Sequence, residues 1–335
     1  MNDFRLPQLE HHAPEALGEL LAMKAELGAD SVILAGGTDL VPLLKRRNIR
    51  PRKIIALSSV KELREISRTA DNGLRIGAGV TLRQIQDDPA VKRSYPALAR
   101  AASSVAFNQI RNMGTLVGNA CLDNKCGFFN QSAFWWKSRE DCIKRGGTRC
   151  YAVRSGRQCH ALSAADTVSA LVALGAELEI RCSGSSRQIP IRDFYTGDGA
   201  RPQDLACDEV VIAVILPQPD PCWVQGYAKK SARGSVDFAI ASLCILLKTR
   251  EGCVEDARIG VNGVSSRPIR AIRTEEFLVG REVDTAAVQE ASRILVSEVK
   301  PISPIGATPL LRRRILEALF VDLMEEILRS PVPPA

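Results

Sequence analysis

Between Ala120 and Cys159 the chain runs forty residues with no sustained helical or strand period. The stretch holds five cysteines and five clustered aromatics (Phe128, Phe129, Phe134, Trp135 and Trp136). It also carries eight Lys/Arg against three Asp/Glu between Cys121 and His160, a net of +5. A loop of that length without structure of its own is uncommon inside a compact domain. Something other than regular backbone hydrogen bonding must organise it, and cysteine is the available means. The start, MNDFRLPQLEHH, lacks the basic and apolar regions of an export signal. Clustered thiols in such a chain point to metal or redox work rather than to disulfides. The expected location is cytoplasmic, with no apolar run of membrane-spanning length.

Cys126, Cys142, Cys150 and Cys159 lie 16, 8 and 9 residues apart, with Cys121 a fifth thiol nearby. Four thiolates suit structural zinc or an iron–sulphur cluster. The tight C-x2-4-C knuckles usual for zinc are absent, while the wide spacing is compatible with iron–sulphur ligation without identifying it. Unligated or mixed redox thiols are the third reading. The aromatics either shield the sulphurs from water or simply pack a core. Three histidines in all (His11, His12 and His160) leave little material for a His-rich zinc site or a Ser-His-Asp triad. Most of the formal net charge of +7 sits in this one segment. That basic surface is either a solvated loop or a dock for an acidic protein or phosphate-bearing ligand. No recognition motif for nucleic acid accompanies it.

The rest of the 335 residues is regular. An amphipathic helix is expected over Pro14–Leu27, then strands in SVIL, KIIAL and LRIGAGVTL, and a helix in PALARAASSVAF. SAADTVSALVALGAELEI reads as helix, glycine, strand. Residues 181–206 read as turns, and EVVIAVILP as a strand ended by Pro217. PQPDPC marks a linker before FAIASLCILLK, DARIGVNGV and two helices near 286–297 and 310–328. The organisation is therefore α+β. Residues 1–217 form one domain (1–58 a small subdomain, 59–217 a larger one with 120–160 inserted), and 218–330 a smaller α+β domain. Three small-residue loops, AGGTDL, IGAGVTL and NMGTLVGN, fall in the first domain. Paired glycines let backbone N–H groups approach a ligand closely, as in a phosphate-binding nest. Three such loops favour a long, multiply contacted ligand such as a dinucleotide.

AGGTDLVPLLK, RNMGTLVGN, ALSAADTVSALVALGAELEI and YAKKSARGSVDFAI, in that order, resemble the medium FAD-binding subunit of molybdenum hydroxylases, the group of xanthine and CO dehydrogenases. The resemblance covers almost the whole chain. It implies the FAD-binding fold of the PCMH and vanillyl-alcohol oxidase type, followed by a C-terminal α+β domain of the CO dehydrogenase flavoprotein type. Most relatives run from the GN of the third loop directly into the aspartate-bearing helix. The insert here, with GNACLDNKC and its spacing, is similar to that of the β subunit of 4-hydroxybenzoyl-CoA reductase. That likeness implies a 4Fe–4S cluster on Cys126, Cys142, Cys150 and Cys159, with Cys121 a bystander unless ligands swap.

For FAD the resemblance implies that Ile33, Leu34, Ala35, Gly36, Gly37, Thr38, Asp39 and Leu40 wrap the pyrophosphate. Thr115, Leu116, Val117, Gly118 and Asn119 would form the second loop, with Val105 packing beside it. Asp166 would accept hydrogen bonds from ribityl or adenosine hydroxyls, its plain alternative being a helix N-cap or surface carboxylate. Leu216 and Lys229 would approach the isoalloxazine side, Lys229 tuning it electrostatically unless it is simply solvated. Asp123, at the entrance to the insert, is the weaker candidate. No residue of this chain is expected to act on the organic substrate.

The partners implied are a large molybdenum-cofactor subunit and a small subunit with two 2Fe–2S clusters, assembled as a dimer of heterotrimers. Nucleic acid and membrane are not among the expected partners. Electrons from reduced ferredoxin would enter at the 4Fe–4S cluster, pass through FAD and the 2Fe–2S centres, and reach molybdenum for reductive dehydroxylation to benzoyl-CoA. Two alternatives stand beside this. One is a flavin subunit of a hydroxylase working in the oxidative direction, and the other a zinc-stabilised scaffold that binds no flavin.

Overall fold

The computed structural model describes residues 5–234, 236–304 and 306–329. Three short strands come first: β1 (Glu10–His12), β2 (Ser31–Leu34) and β3 (Lys53–Ala56). They pair in parallel in the order β1-β3-β2. The helix Leu17–Leu27 crosses between β1 and β2 and buries Leu20 and Leu21. It starts three residues later than the sequence pattern implies, because Pro14 lies outside it.

The second sheet is antiparallel and built from β4 (Ile66–Arg68), β5 (Leu74–Gly77), β6 (Glu177–Arg181), β7 (Ser186–Pro190) and β8 (Val210–Leu216), in the order β4-β5-β8-β6-β7. The wholly apolar run of β8 takes the central place, where both faces are covered, as its composition demands. Two expectations are corrected here. LRIGAGVTL is a strand only to Gly77. A Cβ at Gly77 would lie 2.3 Å from the Leu63 carbonyl oxygen, and Thr81 then caps the helix Leu82–Asp87 through a capping box with Gln84. The stretch 181–206 contains β7, an edge strand paired along its whole length with β6.

The third sheet runs β12-β11-β10-β9, with β9 (Val224–Ser231), β10 (Ala239–Arg250), β11 (Cys253–Asn262) and β12 (Ile269–Arg270). The helices Thr285–Glu298 and Pro309–Arg329 cover one face, burying Leu295, Leu316, Phe320 and Leu323. The other face meets the helix Val168–Leu174. There Gly260 approaches so closely that a Cβ would sit 2.0 Å from the Ser169 carbonyl oxygen. This contact fixes residues 164–169, and with them part of the site below. Among the described residues no helix is long and apolar enough to cross a membrane.

Candidate flavin and thiol sites

A cavity of about 600 Å³ opens among the parallel sheet, the end of β8 and the loops between them. Its first wall is the turn after β2. At Gly36 a Cβ would stand 1.9 Å from the Met113 carbonyl oxygen, and Gly37 has φ of +70°. Glycine alone meets the first demand and favours the second. Among the described residues, no acceptor takes the N–H of Gly36, Gly37, Thr38 or Asp39, so four consecutive donors are left for a ligand.

The second wall is the loop into the helix Leu116–Ala120. Thr115 caps that helix, accepting from Gly118 N at 3.0 Å. Asn119 Oδ1 accepts from Thr167 N at 3.2 Å and Thr167 Oγ1 at 2.7 Å, tying this loop to the next wall. A bend at Ala106, with φ of +43°, forms the third. Arg111 holds the bend by donating to the Val105 carbonyl at 2.7 Å. This Arg111 brace escaped the sequence reading because nothing in its spacing marks it.

Asp166 is the fourth feature. Lys229 Nζ donates to its Oδ2 at 2.6 Å, and Tyr227 Oη donates to its backbone carbonyl at 3.1 Å. Its Oδ1 is buried without any hydrogen-bond partner, in the wall of the cavity. Burial raises its carboxyl pKa to about 6, against the opposing pull of the Lys229 ammonium. It is neither a surface group nor an N-cap, since Thr167 holds the N-cap position of the following helix.

The cavity thus gathers Ile33, Ala35, Gly36, Gly37, Thr38, Asp39 and Leu40, then Val105, Thr115, Val117, Gly118 and Asn119, with Asp123 and Asp166 completing it. Leu34, Leu116, Leu216 and Lys229 are not in its wall. Leu116 and Leu216 are fully buried in the main core, Leu216 paired with Leu74. Lys229 stands behind Asp166, bonded also to the Ser104 carbonyl at 3.0 Å, so it is not a solvated lysine. On the open side lie Phe238 and the Arg233–Asp237 ion pair. They belong to the string YAKKSARGSVDFAI, but their position over the cavity depends on a sheet distant in sequence.

The cysteine-rich insert is not structureless. It holds the short helix Ala133–Lys137 and a 3-10 turn, Ile143–Arg145. Cys126, Cys142, Cys150 and Cys159 are all buried and line one small cavity, with Phe128, Phe129, Ile143, Lys144 and Tyr151. Burial raises the thiol pKa of Cys126, Cys142 and Cys159, the last to about 11. Backbone N–H groups aimed at the sulphurs oppose this: those of Phe128 and Phe129 at Cys126, of Lys144 and Arg145 at Cys142, and of Ala161 at Cys159. The nearness of Cys150 adds to the rise of each of these three thiols. Among the described residues, no three His, Cys, Asp or Glu side chains are arranged so that they hold a metal ion.

Cys121 is elsewhere. It lines the large cavity, and burial pushes its thiol up to about 12. Of the insert's aromatics, Phe128 and Phe129 face the sulphurs, and Trp135 and Trp136 pack edge to face behind them with centroids 4.8 Å apart. Phe134, 82% exposed, shields nothing.

The comparisons with known proteins agree with this architecture. Residues 7–219 match the family described as the FAD binding domain in molybdopterin dehydrogenase, and residues 226–327 match the CO dehydrogenase flavoprotein C-terminal domain. The chain belongs to this FAD-binding family. It is 26% identical over 317 residues to the putative xanthine dehydrogenase FAD-binding subunit of Escherichia coli K12, covering 94% of each chain. It is 26% identical to the carbon monoxide dehydrogenase medium chain of Hydrogenophaga pseudoflava, covering 88% of each. Among solved structures it superposes on quinoline 2-oxidoreductase from Pseudomonas putida 86 with a TM-score of 0.78 at 26% identity, covering 96% of this chain and 98% of that one.

The α+β fold, with its FAD-binding domain and CO dehydrogenase-type C-terminal domain, stands as expected. FAD fits the large cavity on this chain's own chemistry: free N–H donors at a Gly-Gly turn suit a pyrophosphate, and the unpartnered Asp166 Oδ1 suits a sugar hydroxyl. FAD bound there would supply electron transfer in steps of one or two electrons.

Proposed function

We propose that this chain is the electron-transfer subunit of a molybdenum-containing oxidoreductase complex, holding FAD in the large cavity and a 4Fe–4S cluster on Cys126, Cys142, Cys150 and Cys159. The observation that carries the second cofactor is the convergence of four buried cysteines on one cavity, three of them met by backbone N–H groups. Donor N–H groups stabilise thiolate sulphur and tune clusters. The four thiols, with no imidazole or carboxylate among the residues lining their cavity, are the kind of donor an iron–sulphur cluster takes. Such a cluster would supply one-electron transfer.

The insert is held against the flavin cavity by this chain's own contacts. Lys125 pairs with Asp39, and Asn48 Nδ2 donates to the Phe129 carbonyl at 3.0 Å. Substrate chemistry belongs to a large molybdenum-cofactor subunit, reached through a small subunit with two 2Fe–2S clusters, in a dimer of heterotrimers. The basic insert surface, with Lys137, Arg139, Arg149, Arg154 and Arg157, suits an acidic donor such as ferredoxin. Within this reading the complex is of the 4-hydroxybenzoyl-CoA reductase type.

The relatives' names favour a second reading in the oxidative direction, since they are dehydrogenases and a hydroxylase. Assays on the purified complex separate the two. Conversion of 4-hydroxybenzoyl-CoA to benzoyl-CoA driven by reduced ferredoxin is the expected result. Substrate oxidation with an external acceptor, and no ferredoxin-driven reduction, would leave only the oxidative reading.

A further inference from the structure

One ion pair links the linings of the two cavities, Lys144 on the thiol side with Asp123 on the other. Lys144 lies in the 3-10 turn Ile143–Arg145, lines the thiol cavity, and points its backbone N–H at Cys142 Sγ. Its side chain is 5% exposed. The ammonium donates to Asp123 Oδ1 at 2.6 Å, the Gly199 carbonyl at 2.7 Å and the Asn124 carbonyl at 3.1 Å. All three of its N–H donors are thereby committed, and the Phe129 ring lies 5.2 Å away. Asp123 lines the large cavity. The neighbouring pair, Lys125 with Asp39, differs in that Lys125 does not line the thiol cavity.

We propose that Lys144 is a positioning residue whose fixed charge sets how readily the thiol site accepts an electron, with Asp123 on the flavin side acting against it. This rests on the cluster reading above. One-electron reduction of a four-thiolate cluster adds one negative charge, breaks no bond and requires no proton. A cation held nearby, out of water and weakly screened, favours the more negative state. Asp123 cancels part of that field. The two members of the pair therefore act on the site with opposite signs. A pair that served only to hold the loop would give the same loss whichever member was removed.

The test is an EPR-monitored redox titration of the complex purified anaerobically with its partners, with iron counted on the same samples. Lys144→Gln is expected to shift the oxidised-to-reduced ratio about tenfold toward the oxidised state, about 59 mV lower for a one-electron couple. Asp123→Asn is expected to raise the potential, and Lys144→Arg to restore it. Unmoved potentials at full iron content, or shifts of the same sign in Lys144→Gln and Asp123→Asn, overturn the proposal. If Lys144→Gln fails to retain iron, Asp123→Asn decides alone, and an unmoved or lowered potential overturns it. A wild-type complex without the additional iron overturns the cluster reading together with this one. Wild-type iron with unshifted variants overturns the coupling role only.

Discussion

At Gly36 the chain has no room for a methyl group, because the nearest atom is the Met113 backbone carbonyl and not a side chain that can swing away. Gly36→Ala must therefore push the loop 110–114 outward. Overpacking of this kind costs about 1–3 kcal/mol, and the displaced wall is the one expected to face the pyrophosphate. Urea unfolding of the variant should show that loss, and flavin content after gel filtration should fall well below wild type. Asp166 carries a different expectation. Burial raises its pKa from 3.8 to about 6, so the folded, flavin-free chain binds that proton more tightly than the unfolded chain. The associated stability is complete below the unfolded value and is lost as pH rises through about 6. Asp166→Asn removes this dependence. The stability of wild type relative to the variant should fall between about pH 4 and pH 7, and a flat difference in urea unfolding would contradict the assignment.

Among the elements, the insert is the one whose regular structure is least able to hold it. Its buried cluster is small, centred on Phe129, Trp136 and the cysteines, and its two helical turns span five and three residues. Segments with few buried contacts open at low free energy. Cys142→Ser, or chelation of iron from the wild type, is expected to speed tryptic cleavage between Lys137 and Arg157 about tenfold. The flavin-binding loops should stay intact. Equal cleavage with and without iron would mean that the side-chain packing alone organises the segment.

The same scale shows what the sequence makes legible. β8 is plain because seven apolar residues in a row fit only a covered central strand. The Gly-Gly turn is plain because its glycines answer a steric demand. β7 escapes because SRQIP is a half-exposed edge strand with a turn-like composition, and LRIGAGVTL is overread because the contact that stops it, Gly77 against Leu63, is tertiary. The loops after β2 and before Leu116, marked in the sequence by their small residues, both line the large cavity. The partnership of Asp166 with Lys229 and the location of Leu216 in the core are not readable, since both depend on β9 and β8 packing across the chain.

On the scale of the whole molecule, the insert is tied to the large cavity by the pairs Lys125–Asp39 and Lys144–Asp123. The C-terminal sheet contributes to the larger one indirectly: Lys229 and Tyr227 from β9 hold Asp166, and Asn262 Nδ2 from β11 donates to the Ala165 carbonyl at 2.8 Å. The C-terminal sheet thus braces the wall of the large cavity through Asp166 and Ala165. Lys229→Ala should leave the Asp166 carboxylate buried without its cation, a loss of about 3–5 kcal/mol for a broken buried pair, and should lower flavin content even though Lys229 does not line the cavity. Calorimetry and flavin counts on the variant check both effects. The central claim, that this chain holds both FAD and an iron–sulphur cluster, is tested most directly by cofactor analysis of the complex purified anaerobically. Iron, zinc and flavin are counted, and EPR is recorded on the reduced sample. The account predicts stoichiometric FAD, about four irons per chain beyond the small subunit's share, and a cluster signal lost in Cys142→Ser. Flavin without the additional iron, or zinc in its place, would contradict it.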